Sequence, residues 1–164
     1  MKNFLFIIIL FAAIPVFAEE AIQQELTKQG FDYINEAQYR DAISVFKKAL
    51  ESNPENAEAY YGLGISYLRI GDTEIITIPQ LVQEAIYSFK KALNFNAKHP
   101  EIYYFLGLCY LALKDKELAV KQYDILEGLN RDLADQLLDK IVTYERLLED
   151  SSTQEKFIPF EEKN

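Results

Sequence analysis

Residues 41–72, DAISVFKKALESNPENAEAYYGLGISYLRIGD, align without a gap on residues 84–115, EAIYSFKKALNFNAKHPEIYYFLGLCYLALKD, with 16 of 32 positions identical. Internal repetition at such a period marks a solenoid, in which each unit is one supersecondary element that buries its apolar face against the next. The underlying period is shorter than the offset of 43 between these stretches. Gly30 to Gly64, Leu26 to Tyr60, Tyr33 to Tyr67, Ala85 to Ala119 and Phe89 to Tyr123 are each 34 residues apart. The larger step belongs to the second unit alone, where nine extra residues around TEIITIPQL, about 73–81, separate its two halves.

Within each unit the spacing is helical. Leu26, Gly30 and Tyr33 recur at four and three residues in the first half, and Ala42, Phe46 and Ala49 do so in the second. The pattern predicts two antiparallel helices per unit. Gly30, Gly64 and Gly107, with Ala42, Ala85 and Ala119, are small where paired helices approach, and aromatics fill the adjoining gaps. Asn53-Pro54 and His99-Pro100 break the chain between units. Residues 132–149 carry Leu133, Leu137, Ile141, Tyr144 and Leu148 on one helical face. They form the expected capping helix, with a polar outer face turned to water.

This pattern resembles that of tetratricopeptide repeat proteins. Leu26, Gly30, Tyr33, Tyr39, Ala42, Phe46, Ala49 and Pro54 match the signature in the first unit, and Tyr60, Leu63, Gly64, Tyr67, Gly71, Ala85, Phe89 and Ala92 in the second. In the third, Lys114, Lys116 and Leu126 replace the usual glycine, aromatic and alanine. The resemblance implies an all-α superhelix of three antiparallel helix pairs, at about 21–56, 57–98 and 99–131, followed by the capping helix.

Both ends of the chain read differently from this repeat region. Met1-Lys2 is a short basic start, Phe4 to Phe17 is almost wholly apolar, and Val16-Phe17-Ala18 offers small residues for cleavage after Ala18. Its 14 apolar residues fall short of the roughly 20 that a helix needs to cross a bilayer. The expectation is a cleaved secretory signal over 1–18, export to a bacterial periplasm, and no stable membrane insertion afterwards. Residues 150–164 are polar and aperiodic apart from Phe157-Ile158-Pro159-Phe160, which reads as a flexible tail.

Composition excludes several functions. The net charge of −9 becomes more negative when Lys2 leaves with the leader, and it repels nucleic-acid phosphates. Cys109 is the only cysteine, so packing rather than an intrachain disulfide must staple the fold. It stands where Ser66 stands one unit earlier, and it has no histidine partner that would make it a nucleophile. His99, the sole histidine, lies in a loop with no second histidine or any cysteine near it to make a metal site. Gly62-Leu63-Gly64 lacks the third glycine and the preceding strand of a dinucleotide loop. Carboxylates interleave with lysines as on a solvated face, so no catalytic residue, cofactor or metal is expected.

A second stripe does call for a function. At 100 degrees per residue, Phe31 and Ile34 fall about 80 to 140 degrees from the core stripe of the first helix, as do Tyr61, Ile65 and Leu68, then Tyr104, Leu108 and Leu111. One stripe suffices to join a core, so the second either wedges between neighbouring first helices or stays open to a ligand. The resemblance implies that first helices line the concave side, so these residues, with the polar Asn35 and Arg69, would form a partner-binding groove. Carboxylate-clamp relatives carry lysine and asparagine there, which Tyr61, Gly62, Ile65 and Leu108 replace. The leading expectation is therefore an exported scaffold or adaptor that holds a peptide or helix of an envelope protein. The rivals are a self-assembling structural protein, joined through Ile75, Ile76 and Ile78 or through the tail, and a subunit of an enzyme or secretion complex.

Overall fold

The computed structural model describes residues 20–73 and 79–149. Among them are seven helices and no strand. α1 covers 20–35, followed by α2 (Tyr39–Ser52), α3 (Ala57–Thr73), α4 (Pro79–Asn94), α5 (Glu101–Ala112), α6 (Lys116–Leu129) and α7 (Arg131–Glu149). They form three antiparallel pairs, α1/α2, α3/α4 and α5/α6, with α7 packed against both α5 and α6. The leader, the isoleucines of the insertion and the apolar tail motif lie outside the described residues.

Short polar side chains start three of the helices. Asn56 accepts the Ala59 N–H at 3.0 Å ahead of α3, Asp115 that of Leu118 at 3.1 Å ahead of α6, and Asn130 that of Leu133 at 3.2 Å ahead of α7. Pro79 opens α4, where its missing N–H leaves no helical bond unmade. The turns inside the first and third pairs share one geometry. Gln38 and Asp115 donate their N–H groups to Tyr33 and Tyr110 at 2.8 Å, closing the helix end around Ala37 (φ 56°) and Lys114 (φ 63°). The third unit thus makes its turn with a left-handed lysine where the repeat signature has glycine. The second unit has that glycine and does not turn there. α3 runs through Gly71 to Thr73, and α4 begins three residues before the position that matches the start of α6, so the insertion lengthens both helices.

Packing follows from the glycines. A Cβ on Gly30 of α1 or Gly62 of α3 would come within 3.0 Å of the Phe46 ring, which sits fully buried between those two helices. Phe89 occupies the same kind of notch at Gly64 and stacks on Phe105 of α5 at 5.6 Å between ring centres. Lys47 over Tyr67 at 6.0 Å and Lys90 over Tyr110 at 5.8 Å repeat one contact from each second helix to the next first helix. The third unit departs from this scheme. Tyr123 stands in the place of Phe89, but its hydroxyl donates to Glu127 at 2.8 Å, and the bond raises its phenol above the ordinary value. Leu137 of α7 fills the notch at Gly107 instead.

The capping helix corrects one expectation. Its outer face is not uniformly polar, since Leu138 is 39% and Val142 41% exposed. The reason is that α7 repeats the first-helix pattern: Tyr103, Tyr104, Leu108 and Tyr110 recur 34 residues on as Leu137, Leu138, Val142 and Tyr144. α7 is the first half of a fourth unit, and it carries both stripes of a first helix.

Candidate functional site

α1, α3 and α5 bring most of the second-stripe residues to one side of the solenoid. Phe31, Ile34, Tyr61, Ile65, Arg69 and Tyr104 are half-buried there, and Asn35 is exposed. Leu68, Leu108 and Leu111 are only 4%, 3% and 1% exposed, so they belong to the core and offer nothing to a partner. The cause is coverage by the next helix. α7 packs on α5, and Leu108 and Leu111 share one core cluster with Leu137 and Ile141. Angle on the helix gave the face of these leucines correctly but could not show that a neighbour lies over it.

The remaining side chains form a path of rings. Phe31 lies 6.2 Å from Tyr61, Tyr61 6.4 Å from Phe89, Phe89 5.6 Å from Phe105, and Phe105 5.7 Å from Tyr104. Separations of this size keep rings in contact, and the fully buried Phe89 of α4 ties the half-buried Tyr61 and Phe105 to the core. Such a face, apolar and aromatic with polar residues at its margin, suits the apolar side of a peptide or helix.

His99 has a role that the sequence did not disclose. Its imidazole stacks on Tyr61 at 4.3 Å with the ring planes 6° apart. Its Nε2 lies 2.9 and 3.0 Å from the two oxygens of Glu58. A carboxylate only accepts, so Nε2 carries the proton and donates. The loop before α5 is thereby tied to the first turns of α3. Burial, then the nearby Glu101 and Glu58 carboxylates, push the Tyr61 phenol up to about 12, so its hydroxyl remains a donor at neutral pH. The preceding joint holds Thr27 and Asn56 at the corresponding positions, where Asn56 Nδ2 donates to Thr27 Oγ1 at 3.0 Å.

A signal for this was present in the sequence. Thr27 and Tyr61 are 34 apart and Asn56 and His99 are 43 apart, so the two joints recur as pairs although their residue types differ. Cys109 is buried beside the first-helix core, as Ser66 is, and Ser66 spends its hydroxyl on the Gly62 carbonyl at 2.7 Å. Among the described residues no group of three or more His, Cys, Asp or Glu side chains is arranged to hold a metal ion. No described helix is long and apolar enough to cross a membrane.

Two stretches of the chain match known repeat models. Residues 33–71 match the TPR repeat and residues 100–132 the tetratricopeptide repeat. The first match spans α2 and most of α3, and the second covers α5 and α6. Together with the helix pairs described above, they define an all-α solenoid of tetratricopeptide repeats, a class of repeat that points to a protein–protein interaction scaffold. No curated protein matches the chain.

Proposed function

We propose that the protein is an exported scaffold or adaptor whose first-helix face holds a peptide or amphipathic helix from a protein of the cell envelope, with the bacterial periplasm as its compartment. The observation that carries the binding role is the row of half-buried apolar side chains, Phe31, Ile34, Tyr61, Ile65 and Tyr104, on α1, α3 and α5. Each keeps part of its apolar surface in water. Covering that surface with a complementary apolar stripe stabilises a complex by about 25 cal/mol for each Å² removed from water, less the cost of ordering the ligand. The net charge of −9 favours a neutral or basic partner segment over nucleic acid. Export is supported by the basic start and apolar run of residues 1–18.

Photo-crosslinking in cells tests this reading. A photoreactive residue at Tyr104 or Ile65 is expected to capture one envelope protein, and the same probe at the exposed Lys48 of α2 is not. Equal capture from both faces, or capture from the Lys48 side alone, would discard the first-helix face as the binding surface.

A further inference from the structure

We propose that the exposed stripe of α7 is a self-association surface, on which a second copy of this chain packs its own α7 in antiparallel fashion. On α5 the position equivalent to Val142 is closed, because α7 packs there and Leu108 is buried, while Tyr104, the equivalent of Leu138, is half-buried. On α7 itself the same positions, Leu138 and Val142, have no following helix among the described residues, and both are exposed. The C-terminal part of a first-helix stripe that is covered by a helix at one step of the solenoid is uncovered at the next.

Register selects the occupant. At 100 degrees per residue, Arg131, Asp135, Leu138, Val142 and Arg146 all fall within about 80 degrees of the α7 circumference, and all are exposed. A two-fold axis through residue 140 sets Leu138 against Val142 of the second copy, since both are two residues from that centre. The same axis sets Asp135 opposite position 145 of the second copy, one residue from Arg146 and within reach of its long side chain, and Arg131 against the C-terminal end of the second helix, where a cation is favoured. Each pair occurs twice, as an isologous interface requires. Glu145 takes the position that Leu111 has on α5, but it is engaged by Lys116 of α6 and stays at the margin. A single helix pair buries less than the roughly 800 Å² per partner of a standard interface, so the dimer is weak and depends on concentration.

Sedimentation equilibrium over a concentration series, on protein purified from cells expressing the complete sequence, reads this directly. Wild type is expected to dimerise reversibly. Leu138→Ser or Val142→Ser is expected to raise the dimer Kd about tenfold or more, with an unchanged far-ultraviolet spectrum because both side chains are exposed. Asp135→Arg and Arg146→Asp are each expected to weaken it, and the double exchange to restore it. The proposal is overturned if wild type is monomeric throughout, if the serine variants dimerise as wild type does, or if the double exchange is no better than the single ones. It is equally overturned if dimers form only after the residues beyond Glu149 are removed, since the chain's own tail would then be what covers α7.

Discussion

In the first two units a phenylalanine from the second helix, Phe46 or Phe89, fills a glycine notch in the first helix of its own pair. In the third unit Tyr123 stands at that place with its hydroxyl on Glu127, and the notch at Gly107 is filled from outside the pair by Leu137. The difference shows that a repeat can keep its outline while exchanging its wedge. The third pair is completed by α7, which makes that helix a structural half-unit rather than a lid, and it leaves α7 with an uncovered stripe of its own.

The comparison can be broken by three truncations. Phe89→Ala is expected to lower stability by about 3–5 kcal/mol and Leu137→Ala by about 2–5 kcal/mol, because both side chains are fully buried and each leaves a cavity. Tyr123→Ala is expected to cost less than either, because its ring is only half-buried and its hydroxyl bond is exposed. Urea unfolding of the three variants decides the matter. A Tyr123 variant as damaged as the Phe89 variant would show that all three units are wedged alike.

The two inter-unit joints sharpen the same point. Asn56→Ala removes a helix cap and a side-chain bond, and is expected to cost about 1 kcal/mol. His99→Ala removes a stacked ring and a carboxylate contact and is expected to cost about 0.5–1.5 kcal/mol, followed by chemical denaturation. A change of similar size and opposite sign is expected at the third turn. Lys114→Gly relieves a left-handed lysine and is expected to raise stability by about 1 kcal/mol, visible as a higher Tm.

Alkaline pH addresses the second joint through Tyr61. The folded Tyr61 phenol sits at about 12 against an ordinary value of 10.0. Between those values the unfolded chain has released the proton and the folded chain has not, so stability is complete below pH 10 and falls as pH rises toward 12. Tyr61→Phe is expected to show a shallower loss over that window when unfolding is followed by circular dichroism. An identical slope in the variant would mean that Tyr61 does not couple to folding.

Much of this was legible before the structure. Glycine and alanine recurring at 34 residues beside phenylalanine carry a helix pair in their spacing, because only small residues admit the neighbouring ring. The candidate site was legible in part. Phe31, Tyr61 and Tyr104 share a helical angle with Leu68, Leu108 and Leu111, and nothing in the angle distinguishes a covered face from an open one. That distinction is tertiary and depends on how far the next first helix extends. The turns show a second limit. Gly71 marks a turn that α3 passes through, while Ala37 and Lys114 turn without glycine, because the length of the connection decided the local geometry. For α7, the continuation of the period to Leu137 and Tyr144 was present in the sequence, but a polar outer face was expected there, and the exposed pair Leu138 and Val142 emerged only from the structure.

The account depends most on the first-helix face being the side that meets a partner. Its most direct test is the affinity of the captured protein's binding segment for wild type, Tyr104→Ala and Tyr123→Ala, measured by isothermal titration calorimetry. Tyr104→Ala on α5 is expected to weaken binding by about 1–3 kcal/mol, and Tyr123→Ala on α6 to leave it unchanged. Unaltered affinity in the Tyr104 variant, or a loss of the same size in both, would contradict it.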